Sequence, residues 1–146
     1  MGIKLYNNFT VGSNNIVQNA YDNYIEPSRA GYLSGGTPLT PGDGYEYLVF
    51  TTTQTLTVNE AVPDAEYLVV AGGGGGGGSG GPGGGGGGAG GFVTGTGLSL
   101  TTPLTVTVGG GGAAGAAANG GDSILSTITS TGGGAGGFHD PTPGPP

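Results

Sequence analysis

The sequence predicts an all-β fold, a small jelly-roll-like β-sandwich carrying packed polyglycine-II segments. Three observations point there. Short runs rich in Val, Leu, Tyr and Thr recur between residues 45 and 131. Glycine supplies 39 of the 146 residues and falls in solid runs set directly against those strand-like segments. No segment carries the sustained 3.6-residue apolar period of a helix, and the short alanine stretch at 113–118 is interrupted by Gly115 and reads as extended chain.

Composition removes the competing classes. Collagen needs glycine at every third position, and solid runs exclude it. Full disorder is the default for glycine-rich chains, but 34% of the residues are hydrophobic and they cluster. Charged residues make up only 8%, and the net charge of −7 reflects scarce bases rather than an acidic run. Lys4 and Arg29 are the only two, too few to grip phosphates, so no nucleic-acid partner is expected. An anionic membrane surface is excluded for the same reason. No apolar stretch approaches the length of a membrane helix, so no membrane insertion is expected. The first eleven residues lack the apolar core of a secretion signal, and Tyr6 stands where a myristoylation signal has Ser or Thr. The expectation is a chain made in a host cytoplasm and either soluble or built into an assembly.

Residues 1–44 form the first compositional unit. Asn7, Asn8, Asn14, Asn15, Asn19 and Asn23 favour turns over helix. Tyr6, Phe9, Tyr21, Tyr24 and Tyr32 are interleaved with them and offer large amphipathic contact area. The segment reads as an N-terminal arm that orders across a partner, or as an irregular lid on its own domain. Those five aromatic residues are the candidate assembly contacts. Pro41-Gly42-Asp43-Gly44 is a hard turn.

Residues 45–137 are the glycine-rich β domain. Residues 45–50 (Tyr-Glu-Tyr-Leu-Val-Phe) are β-formers, and Leu56 and Val58 alternate with Thr55 and Thr57. Residues 59–64 read as a turn. Residues 66–71 are an apolar run bounded by breakers, as a buried strand would be, and a short strand follows at 92–94. Leu104, Val106 and Val108 alternate with Thr105 and Thr107, the clearest period of two in the chain. Asn119-Gly120-Gly121-Asp122 reads as a turn before the last apolar pair, Ile124-Leu125, and Ile128. Residues 138–146 are a Pro-rich tail or linker.

Glycine runs interrupt these strands at 72–91, 109–112 and 132–137. Within 72–91 there are 17 glycines, broken only by Ser79, Pro82 and Ala89. Flexible linkers usually mix in Ser, Thr and charge. Near-pure glycine pressed between strands argues for packing, with a disordered loop as the competing reading. Ordering each glycine costs about 1–2 kcal/mol of backbone entropy, which only main-chain hydrogen bonds and close backbone approach can offset. Polyproline-II geometry turns every three residues and points its peptide groups outward, so side-by-side glycine rods can bond laterally. At about 3.1 Å per residue the long run reaches about 60 Å, or folds back at Pro82 into two shorter rods. The candidate packing positions are Gly72, Gly78, Gly83, Gly88, Gly109, Gly112, Gly132 and Gly134.

The same segments, taken in order, form a recognisable set. Tyr-Leu-Val-Phe-Thr (47–51) precedes Thr-Leu-Thr-Val (55–58). Glu-Tyr-Leu-Val-Val-Ala (66–71) then runs into polyglycine, followed by Gly-Ala-Gly-Gly-Phe (88–92) and Leu-Thr-Val-Thr-Val-Gly-Gly-Gly-Gly (104–112). Asn-Gly-Gly-Asp-Ser (119–123) and Ile-Thr-Ser-Thr-Gly-Gly-Gly (128–134) close it. This resembles the glycine-rich domain of bacteriophage virion proteins, in particular tail-fibre, adhesin and appendage proteins of marine phages. The resemblance implies layered polyglycine-II helices. Residues 1–44 lie outside it.

Little else could carry chemistry. His139 is the only imidazole and sits in a Pro/Gly tail beside Asp140. The carboxylates are dispersed, apart from Asp64 and Glu66 at a strand start. There is no cysteine for a thiolate metal site and no Lys-Ser/Thr after the glycines for a phosphate loop. No catalytic residue, cofactor or metal is expected. The expected function is a structural component of a virion (a fibre, tail or capsid-surface appendage) located on the particle. Its expected partners are other virion proteins and further copies of itself, a trimer being favoured because three chains cover one another's strand edges. A receptor-binding adhesin meeting a host surface receptor and a bacterial extracellular filament protein are the rival readings.

Overall fold

The computed structural model describes residues 4–7 (backbone only), 32–39, 45, 47–78 and 83–138. Among them there is no helix. Ten strands follow in order: β1 (Lys4–Asn7), β2 (Leu33–Ser34), β3 (Thr37–Leu39), β4 (Tyr47–Val49), β5 (Gln54–Val58), β6 (Val62–Val70), β7 (Phe92–Leu100), β8 (Leu104–Thr107), β9 (Ser123–Leu125) and β10 (Ile128–Ser130). They pair into two five-stranded sheets, β3-β4-β1-β6-β7 and β10-β9-β8-β5-β2, antiparallel throughout. The expected class holds: an all-β chain built as a small β-sandwich.

The sheets enclose one apolar core. Leu48, Phe50, Leu56, Val62, Ala65, Val69, Leu100, Val106 and Leu125 are buried together, with Leu33 at the margin. Alternation places most of them. Leu56 faces inward between exposed Thr55 and half-buried Thr57, and Val106 does so between Leu104 and Val108, which pack on the core from its rim.

In β6 the inward set runs Ala65, Tyr67 and Val69, yet Val62 is also in the core. Val62 and Ala65 are three positions apart, which a regular strand would place on opposite faces. Register shifts between Val62 and Ala65, and again between Ala65 and Tyr67, resolve the parity. Pro63, which has no amide to give the ladder, sits in the first irregularity. The carboxylate of Asp64 there accepts the amide of Gly97 at 2.8 Å.

Within 1–44, read as an arm or an irregular lid, the described residues include β1, β2 and β3, which are strands of the sandwich, β1 being the middle strand of its sheet between β4 and β6; most of the remainder of the segment lies outside the described residues. Three other expectations are corrected. The turn read at 59–64 is shorter, because β6 begins at Val62. The strand read at 92–94 continues to Leu100, with Gly95 opposite Tyr67, where a Cβ would collide with the phenol ring. The stretch 113–118 is a turn rather than extended chain: Ala116 donates to the Ala113 carbonyl at 3.4 Å, and Gly115 and Ala117 take φ of 74° and 43°.

Candidate functional site

Glycine begins where the strands stop, and each run continues a strand out of the sandwich. Rod one (71–78) extends β6, and rod two (83–91) leads into β7. Rod three (109–115) extends β8, rod four (118–122) leads into β9, and rod five (131–138) extends β10. The change from strand to rod follows the loss of side chains. Without a Cβ to pack, a two-residue pleat gains nothing over a three-residue turn, whose peptide groups radiate to more neighbours.

The hydrogen bonds keep that three-residue period. Ala71, Gly74 and Gly77 donate to the carbonyls of Gly91, Gly88 and Gly85, at 2.9, 2.8 and 2.8 Å. Gly72 and Gly75 donate to Gly121 and Ala118 of rod four. Gly112 and Gly115 of rod three donate to Gly73 and Gly76, and Gly133 and Gly136 of rod five donate to Gly72 and Gly75. Rod one is therefore a hub bonded to the other four. The outer rods also join one another: Gly85, Gly88 and Gly91 donate to Gly137, Gly134 and Thr131, Gly120 donates to Gly133, and Gly121 donates to Gly110. Long glycine fold-back is thus realised, with rods one and two antiparallel.

Close approach explains why the residues must be glycine. A Cβ at Gly72, Gly75 or Gly78 would land on the carbonyl oxygens of Gly110, Ala113 or Gly115 respectively. One at Gly74 or Gly77 would land on those of Gly134 or Gly137. Real side chains appear where the bundle faces outward, as at exposed Ala89 and Ala113.

Three polar side chains tie the rods to the sheets and to one another. Buried Ser123 stands at the seam: its hydroxyl donates to the Val70 carbonyl and accepts the Gly109 amide, both at 2.9 Å. Asp122 Oδ1 accepts the Gly132 amide at 2.7 Å, and Asn119 Oδ1 accepts the Ala135 amide at 2.8 Å. Asn119 and Asp122 are one rod turn apart, and so are the amides they hold. The turn expected at 119–122 is instead part of rod four. Sequence reasoning took Asn119 and Asp122 only as turn residues and gave Ser123 no role; the signal available was an Asn and an Asp spaced by three within a glycine run.

Of the candidate packing positions, Gly72, Gly88, Gly109, Gly112, Gly132 and Gly134 take part in the hydrogen bonds named above. Gly78 lies against the Gly115 carbonyl, while Gly83 is exposed at the rod tip with φ of 129° and no neighbour for a Cβ. Of the candidate assembly contacts, Tyr6 lies in β1, paired with Glu66. Tyr32 packs against the core, and its carbonyl accepts the amides of Asn59 and Glu60 at 2.8 and 3.3 Å. Phe9, Tyr21 and Tyr24 lie outside the described residues, as do His139 and Asp140. Among the described residues no cluster of His, Cys, Asp and Glu could hold a metal ion, and no helix is long and apolar enough to cross a membrane.

A family model described as a glycine-rich domain matches residues 49–145. No curated protein and no solved structure matches the chain. The matched segment runs from β4 through all five rods. The chain belongs to this glycine-rich domain family.

Proposed function

We propose that this member of the glycine-rich domain family is a structural component of a bacteriophage virion, a fibre, tail or capsid-surface appendage. The observation that carries the reading is the hub arrangement of the rods. The bundle consists of main chain bonded to main chain. Its ordered surface is largely backbone and small side chains, which suits a durable spacer. The ordered resemblance of residues 45–137 to glycine-rich phage virion proteins supplies the setting. Neighbouring virion proteins are the proposed partners.

The test is to purify particles from a host producing this chain and quantify it by mass spectrometry and labelled imaging. The proposal expects the chain in particle fractions, in many copies, at a fixed position. Recovery only as a free cytosolic protein refutes it. Antibody against the chain that leaves particles intact yet blocks host adsorption would move the assignment to the adhesin reading, for which exposed Phe138 at the end of rod five is the natural contact.

A further inference from the structure

We propose that Asn119-Gly120 is a modification site that makes an opening of the bundle permanent. When rods four and five part, this dipeptide deamidates through a cyclic imide, and the isoaspartyl product no longer fits between its neighbours. The inference stands whether or not the chain is part of a virion.

Asn119-Gly120 is the one Asn-Gly pair in the sequence. Asparagine is a thermolabile residue, most so before glycine, whose missing Cβ leaves the next nitrogen unobstructed. The bundle requires both residues. A Cβ at Gly120 would land on the Gly72 carbonyl oxygen, and Asn119 Oδ1 accepts the Ala135 amide at 2.8 Å. Packing therefore places the most labile dipeptide of the chain inside rod four.

Packing also restrains it. The attacking atom is the Gly120 nitrogen, whose N–H donates to the Gly133 carbonyl at 2.8 Å. The attacked group is the Asn119 carboxamide, held through Oδ1 by Ala135. Both bonds run to rod five, so the ring closes only after rod four has left rod five. Asn119 is exposed, and water reaches it without further rearrangement.

The chemistry needs water alone. The Gly120 nitrogen gives up its proton to base and attacks Cγ of Asn119. A C–N bond forms, the Cγ–Nδ2 bond breaks, and ammonia leaves with a proton returned to it. Water then adds to one carbonyl of the imide and breaks its bond to the Gly120 nitrogen. Cleavage at Cγ leaves an aspartyl residue on an unchanged main chain. Cleavage at the former main-chain carbonyl leaves isoaspartate, with Cβ and Cγ now in the main chain. Nothing is oxidised or reduced.

The two products differ in what the bundle tolerates. On either side of the modified bond, the Ala118 and Gly121 carbonyls accept the amides of Gly75 and Gly72, at 2.8 and 3.0 Å. The carbonyls are one rod turn apart, and so are the amides. Isoaspartate adds one C–C bond, about 1.5 Å of chain, between the two carbonyls, so both ends of rod four cannot meet rod one in register. The aspartyl product keeps its length and an oxygen for Ala135.

The test ages the full chain at mildly alkaline pH, folded and in urea. Peptide mass spectrometry and an isoaspartate-specific methyltransferase follow Asn119. Conversion is expected in both, about tenfold or more slower in the folded chain. Ala135→Pro, which withdraws the amide from Asn119, should speed the folded reaction severalfold. In the purified isoaspartyl chain the amides of Gly120 and Gly121 should exchange fast, while those of Gly74 and Gly77, held by rod two, stay slow. Asn119→Asp should keep all four slow. Asn119 surviving unmodified in urea, or converting equally fast in the folded chain, overturns the inference. So does a folded Ala135→Pro chain that reacts no faster, an isoaspartyl chain with undiminished protection, or Asn119→Asp losing protection to the same extent. If Ala135→Pro fails to fold, the wild-type rates and the exchange of the two products still decide.

Discussion

Two glycines in the same low-complexity run should respond oppositely to one methyl group. Gly75 is buried in the hub rod, with its amide on Ala118 and its carbonyl taken by Gly136, at 2.8 and 2.9 Å. A Cβ there lands on the Ala113 oxygen and comes within 2.7 Å of its carbonyl carbon. All of these atoms are backbone, so rods one and three must part. Overpacking of this kind costs about 1–3 kcal/mol, and each strained backbone bond adds about 1 kcal/mol. Gly75→Ala should therefore destabilise by about 3–5 kcal/mol. Gly86 is on the exposed face of rod two with nothing within 4 Å of its Cβ direction. Gly86→Ala should stabilise by about 0.4–1 kcal/mol, because alanine narrows the unfolded ensemble. At about 2–4 °C per kcal/mol for a chain of this length, the two variants should melt roughly 10 °C apart. Urea titration at constant m-value, alongside thermal melts by circular dichroism, measures the difference. If Gly75→Ala unfolds together with Gly86→Ala, the rods are not packed as described.

Ser123→Ala removes the hydroxyl that holds the Gly109 amide and the Val70 carbonyl at the seam and should cost about 1–3 kcal/mol, whereas Ser130→Ala, which removes a buried hydroxyl with no bonding partner among the described residues, should be neutral or stabilising; chemical denaturation of both separates them. Asn119→Ala and Asp122→Ala should each cost about 1 kcal/mol, and the pair together should release the Gly132 and Ala135 amides to fast exchange while the amides of Gly74 and Gly77 stay slow. In the wild-type chain, hydrogen exchange should be slow at Gly72, Gly74, Gly75 and Gly77 and fast at Gly84, Gly86 and Gly87; uniform fast exchange across 72–91 would reject the bundle. Gly95→Val should destabilise by about 1–3 kcal/mol through collision with the Tyr67 ring, and Tyr67→Ala in the same chain should relieve part of that cost, as a double-mutant cycle would show.

Strands with apolar alternation were legible: β5 around Leu56, β8 around Val106, and the apolar half of β6 all announce themselves by which side chains repeat. β1, β2 and β3 did not, because they are four, two and three residues long, too short for a period to show among Asn and Gly. The parity change at Pro63 and Asp64 was read as a turn, since proline and aspartate are the usual signs of one. β7 was cut short because Gly95 and Gly97 look like breakers; only the Tyr67 ring across the sheet explains why Gly95 belongs there. That the glycine runs pack was readable from their purity and their bordering strands. Which run touches which was not, because identical residues carry no information about partners.

That absence of information raises the question of how a bundle of like rods keeps one register. Glycine cannot supply it, since sliding any rod by three residues restores every backbone direction. The strands supply it at one end: each rod is held where its strand leaves the sandwich, so the ladders of β6 with β7 and of β8 with β9 and β10 fix the height at which each rod begins. Ser123 adds a lock at that level by reaching from β9 to both β6 and rod three. Further out, Asn119 and Asp122 offer oxygens only where they stand, and rod five can satisfy both only with Ala135 and Gly132 opposite them. Side chains are thus nearly absent from the rods and concentrated at the few points where translation must be prevented.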